Sequence, residues 1–116
     1  MIQEVATTKV MEEFKLQAQC FQWHWNNYPD ERGLLFTVNN NSGSRKEGAV
    51  MKAMGVVAGV SDMIYLQSGG PVFLEFKTAT GRQSPAQKRF QEIVESQGYQ
   101  YHIIRNFDEF RTATGK

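Results

Sequence analysis

One cysteine, Cys20, in 116 residues leaves no internal disulfide and no cysteine-based zinc site. No apolar stretch approaches the roughly 20 residues that span a bilayer, and Met1-Ile2-Gln3-Glu4 lacks a basic signal-peptide start. A cytoplasmic protein without a membrane partner is the expectation. The two histidines, His24 and His102, share no short ligand spacing, so no histidine metal site is expected either. An excess of one charge is also missing. Thirteen Lys and Arg stand against 12 Asp and Glu, a net charge of +1, which by itself does not mark a polyanion binder. What is present is ordinary globular composition, 41% hydrophobic and 22% charged, in a chain with room for one domain over residues 1–116.

Helix and strand signals alternate along that length. Val10, Phe14, Ala18, Phe21 and Trp25 recur at spacings of three and four, predicting a helix over 8–25 that Asn26 to Asp30 breaks. Leu34 to Val38 reads as a strand, followed by the polar loop Asn39 to Gly43. Ser44 and Glu47 have capping-box spacing for a second helix that ends at Gly55. Asp62 to Leu66 and Val72 to Lys77 read as strands, and Ser68-Gly69-Gly70-Pro71 between them is a hairpin turn. Ser84-Pro85 opens a third helix, with serine as cap and proline in the first turn, and Gly98 closes it. Tyr99 to Ile104 is a strand, and Phe107 to Phe110 starts a closing helix. The order α-β-α-β-β-α-β-α predicts an α/β fold, a mixed central sheet flanked by helices.

One strand carries charge where it should be apolar. In Val72-Phe73-Leu74-Glu75-Phe76-Lys77, alternation puts Val72, Leu74 and Phe76 on one face and Phe73, Glu75 and Lys77 on the other. Burying either charge alone costs on the order of several kcal/mol, so the pair needs a partner, a metal or a substrate. Asp62 lies 13 residues earlier, at the start of the neighbouring strand. Magnesium takes oxygen ligands and usually only one or two carboxylates, which Asp62 and Glu75 can supply, with the Phe76 carbonyl as a third ligand. Lys77 then stands where it can hold or help deprotonate an attacking water and offset charge on a phosphate. Lys77, Arg82, Lys88 and Arg89 form a basic run without an acid, suited to a phosphate backbone.

These residues and their surroundings carry a resemblance. Gly59-Val60-Ser61-Asp62, Phe73-Leu74-Glu75-Phe76-Lys77 and Gly81-Arg82-Gln83-Ser84-Pro85-Ala86-Gln87, with Phe36-Thr37-Val38-Asn39-Asn40 and Gly55-Val56 upstream, resemble the VRR-NUC family of the PD-(D/E)xK nuclease superfamily. Glu13 and Gln17 match that family's N-terminal Glu-x-x-x-Gln, so the likeness runs over roughly residues 10 to 110. Ser61 stands where the family usually has proline before the aspartate, and Gln83 where it commonly has an apolar residue. The resemblance implies a restriction-endonuclease-like core of the stand-alone, phage or bacterial type. It implies a Mg²⁺- or Mn²⁺-dependent endonuclease cutting DNA, branched DNA such as a junction or flap being favoured, in replication, recombination or repair. It makes Asp62 and Glu75 metal ligands, Lys77 the catalytic lysine, Glu13 an auxiliary acid and Gln87 a helix residue meeting the site. It also implies a homodimer, which offers two sites to two strands. The alternatives are an RNA nuclease, or an inactive module that binds DNA or a partner on the same fold.

Other residues have plainer readings. Gln87 also stands three after Ser84, at capping-box distance. Asn39 and Asn40 are placed near DNA, as is Arg82 in the basic loop. Trp23, His24, Trp25 and Tyr28 can stack on bases, though so dense a cluster also fits a core or a dimer interface. Cys20 is expected to be buried and inert.

Overall fold

The computed structural model describes residues 2–38 and 45–116. Helix α1 (Ile2–Asn27) leads through a 3₁₀ turn at Pro29–Glu31 to strand β1 (Leu35–Thr37). Helix α2 (Arg45–Ala53) precedes the hairpin of β2 (Met63–Gln67) and β3 (Gly70–Phe76). Helix α3 (Pro85–Ser96), strand β4 (Gln100–Ile104) and helix α4 (Phe107–Thr114) complete the chain. The sheet order is β1-β2-β3-β4, with the first three antiparallel and β4 parallel to β3. The mixed sheet flanked by helices that the sequence predicts is therefore present, element for element.

Alternation along β2 and β3 sorts their side chains. Met63, Tyr65, Val72, Leu74 and Phe76 turn to one face, where they join Cys20, Leu35, Ile104, Phe110 and Ala113 in a single buried cluster beneath α1 and α4. On the other face α3 lays Phe90 between Phe73 and Tyr101, with ring centroids 5.8 and 6.2 Å away. Burying these side chains is the main stabilising contribution, on the order of 1.5–3 kcal/mol for each large apolar residue.

Local chemistry sets the helix boundaries. Ser84 accepts from the Gln87 amide at 3.2 Å while the Gln87 side chain accepts from the Ser84 amide at 2.8 Å, a complete capping box. Asn106 caps α4 by accepting from the Glu109 amide, and Gly115 ends it in the left-handed conformation. The predicted Ser44 cap of α2 lies outside the described residues.

Helix α1 differs from expectation in which face it buries. Of the predicted stripe Phe21 packs on the core but Phe14 and Trp25 are exposed, whereas Cys20 and His24 are buried and Leu16 and Trp23 also pack on the core. The reason is a polar partner. His24 Nε2 lies 3.0 Å from Glu31 Oε1, which lets a histidine take a core position that periodicity assigns to an apolar residue. Tyr65 donates to the same Glu31 oxygen at 2.5 Å, and Lys116 pairs with the other. Four segments thus meet at one carboxylate.

Candidate active site

The hairpin register places Met63 opposite Leu74, and one step further brings Asp62 opposite Glu75. Antiparallel partners share a face, so the two carboxylates lie side by side at the end of the ladder. The ladder itself yields to the site here. Phe76 donates its amide to Asp62 Oδ2 at 2.6 Å rather than to a backbone carbonyl. The amide and carbonyl of one extended residue point to the same edge, so the Phe76 carbonyl also faces the Asp62 side. On the opposite edge, Lys77 donates its amide to the Ile104 carbonyl at 3.0 Å.

Glu75 is 1% exposed, and its two oxygens have different surroundings. Oε1 accepts from the Tyr101 hydroxyl and from Gln83 Nε2, the latter at 3.0 Å. Oε2 is buried and meets no hydrogen-bond donor among the described residues. Its nearest opposite charge is Lys77 Nζ, 3.6 Å away on a side chain 12% exposed, close enough for an ion pair and too far for a hydrogen bond. Burial, then the hydrogen bond to Glu75, push the Tyr101 hydroxyl above the ordinary phenol range, so it stays a donor.

Asp62 feels the same crowding. Burial, with the charges of Glu75 and Glu13 nearby, pushes its carboxyl up to about 6, against the pull of the Phe76 amide and Lys77. Glu13, half-buried on α1, is therefore within electrostatic reach of Asp62. Gln17 of the same helix donates to Thr37 Oγ1 at 3.2 Å, and Thr37 donates to the Asp62 carbonyl at 3.2 Å, fixing α1 and β1 against the acid's backbone.

The donor set fits a divalent cation. A carboxylate raised by burial and, less, by neighbouring negative charge, a buried carboxylate oxygen without a donor among the described residues, and a carbonyl on the same edge are what Mg²⁺ or Mn²⁺ would satisfy. Among the described residues no three His, Cys, Asp or Glu side chains close into a cage.

The other predicted residues have definite places. Gln87 is at the first turn of α3, where its side-chain carbonyl closes the cap. Arg82, Lys88 and Arg89 are exposed. Asn39 and Asn40 lie outside the described residues. Two residues to which sequence reasoning gave no site role hold the site. Gln83 and Tyr101 take Glu75 Oε1, and Gln83 is itself anchored by Gln91 at 2.9 Å. Arg105 gathers the loop after Lys77, donating to the Thr78 carbonyl at 2.7 Å and the Gly81 carbonyl at 2.8 Å. Tyr101, on the neighbouring strand and on the same face as Glu75, was the available hint.

A groove of about 830 Å³ opens beside Asp62, between α1 and edge strand β1. Phe14, Phe21, Trp25 and Phe36 line it, with Gln17 and Thr37 at the Asp62 end. Among the described residues no helix is long and apolar enough to cross a membrane.

The chain is thus a helix-flanked mixed sheet that carries two facing acids and a lysine at the end of its hairpin. Comparison with solved structures agrees on the fold. A protein named "VRR_NUC domain protein" superposes with a TM-score of 0.68 at 19% identity, covering 89% of this chain and 84% of its own. No protein-family model matches the sequence, and no curated protein matches it.

Proposed function

We propose that this protein is a Mg²⁺- or Mn²⁺-dependent endonuclease that hydrolyses DNA phosphodiesters, with branched substrates preferred, and that it works as a homodimer. The observation that carries the reading is the Asp62–Glu75–Lys77 arrangement, with Glu75 Oε2 buried and undonated beside the lysine. The solved structure of the same fold is named for a nuclease domain, which supports the class of chemistry.

In the reaction, water adds to phosphorus, the bond from phosphorus to one ester oxygen breaks, and the leaving oxygen takes up a proton. Asp62, Glu75 Oε2 and the Phe76 carbonyl would hold the cation, which would supply Lewis-acid polarisation of the phosphate. Lys77 Nζ orients the attacking water and offsets negative charge growing on the phosphoryl oxygens. Glu13 adds negative potential from α1. Arg105 keeps the 78–81 loop from drifting, and so fixes where Lys77 leaves the strand. Arg82, Lys88 and Arg89 attract the backbone on either side of the scissile bond, a contribution that weakens with salt. The dimer belongs to the same reading, since Phe14, Trp25 and Phe36 leave apolar surface that a second copy would cover.

The test is cleavage of labelled four-way junction, flap, duplex and single-stranded DNA, and of RNA, each with Mg²⁺, Mn²⁺ or EDTA, by the wild type and Asp62→Ala. Metal-dependent cuts in DNA, absent from a folded Asp62→Ala protein, are expected. Tight binding without cuts in either metal would leave only a binding module, and cuts confined to RNA would reassign the substrate.

A further inference from the structure

Among the described residues two donors converge on one oxygen of Glu75, and none on the other. The Tyr101 hydroxyl and Gln83 Nε2 both reach Oε1, whereas Oε2 turns toward Lys77. A carboxylate oxygen has two lone pairs, so two donors fill Oε1. The orientation of the Gln83 amide follows from its partners, because Glu75 Oε1 and Gln91 Oε1 are both acceptors and only the NH₂ group can serve both. Gln91 in turn lies 3.4 Å from Glu95 Oε2 through its own amide nitrogen. The chain Glu95–Gln91–Gln83–Glu75 is thus set in direction by a carboxylate at each end. Tyr101 approaches from β4, which lies parallel to β3, with its ring held by Phe90.

We infer that Tyr101 and Gln83 are positioning residues that make Glu75 a one-oxygen ligand, so that the site selects small octahedral cations over Ca²⁺. This rests on the metal reading above and refines it. Calcium takes six to eight oxygens at long and variable distances, and often takes both oxygens of one carboxylate. Magnesium demands near-octahedral geometry at short distance, for which a single carboxylate oxygen from each acid is suited. With Oε1 filled, Glu75 cannot turn to a two-oxygen grip without breaking two hydrogen bonds in a buried place. The discrimination against the larger ion arises in the residues behind the ligand, with Asp62 and Glu75 unchanged.

Metal affinity gives the readout, independent of cleavage. Free Mn²⁺ is followed by electron paramagnetic resonance, with Ca²⁺ as competitor, for the wild type, Tyr101→Phe, Gln83→Leu and the double variant. Tyr101→Phe keeps the ring against Phe90, and Gln83→Leu removes the second donor from a different element. Thermal melting confirms that each variant is folded. The expected result is preference for Mn²⁺ in the wild type, and a Ca²⁺-to-Mn²⁺ affinity ratio that moves toward Ca²⁺ by about tenfold or more in the variants, the range in which residues behind metal ligands act. Binding that survives in the double variant with an unchanged ratio would overturn the inference and leave the metal site standing. Absence of Mn²⁺ binding by the wild type, or binding undiminished in Asp62→Asn, would overturn the metal reading and this inference with it.

Discussion

Glu75 is a carboxylate that folding carries almost out of reach of water and then equips on one side only. Leaving Oε2 without a donor costs the apo protein stability, and that cost is a reason to expect a ligand at this point. Glu75→Gln removes the charge and keeps the shape, but leaves Lys77, only 12% exposed, without its partner. Its melting temperature in EDTA is therefore expected to fall below that of the wild type, and Mn²⁺ binding to be lost. An unchanged or raised melting temperature would mean that the desolvation of the acid outweighs the Lys77 pairing. Lys77→Ala acts on the reaction instead. It is expected to lower the cleavage rate by about 10²- to 10⁴-fold with little change in Mn²⁺ affinity, measured in single turnover alongside a binding titration.

The connector into the Asp62 strand sets a tight limit on the elements around it. Gly59 has φ +80°, and a Cβ there would come within 2.3 Å of the Ala86 carbonyl carbon and oxygen and 2.6 Å of the Gln87 amide. Gly59→Ala is expected to push the α3 N-terminus away, lowering stability by about 1–3 kcal/mol or more in urea unfolding and weakening cleavage with it. Glu31 is the second junction. The hydrogen bonds from Lys116 and Tyr65, and then His24, hold its carboxyl down at about 2, from 4.5 when unfolded. Between those values the folded state binds fewer protons than the unfolded one. The stabilisation is complete above about 4.5 and lost as pH falls to about 2. Glu31→Gln is expected to lower the melting temperature near neutral pH and to flatten its acid limb across that window, a comparison that circular dichroism melts at several pH values make directly. Neither junction is visible in one dimension. Capping boxes, the Ser68–Pro71 turn and strand alternation are local, which is why the element order and the Asp62–Glu75 pairing could be read from residues alone. Glu31 joins positions 24, 65 and 116, and Tyr101 reaches Glu75 only through the β3–α3–β4 crossover. The stripe on α1 misleads for the same reason: spacing identifies a face, but tertiary partners decide which face is buried.

At the scale of the whole molecule, a cation at this site would bind the hairpin, α1 and the β3–β4 pair together, because its ligands and their supports come from all of them. Binding only to the folded state raises stability by mass action, about 2.7 kcal/mol when the metal is at 100 times its Kd. Mn²⁺ is thus expected to raise the melting temperature of the wild type and to leave Asp62→Asn unmoved. Equal shifts in both proteins would place the metal elsewhere. The most direct measurement is an anomalous difference map from crystals soaked in Mn²⁺. A peak within coordinating distance of Asp62, Glu75 Oε2 and the Phe76 carbonyl, and none in crystals of Asp62→Asn, is the expected result. A fully occupied peak at another place, with this hairpin end empty, would contradict the assignment of the site and the nuclease chemistry built upon it.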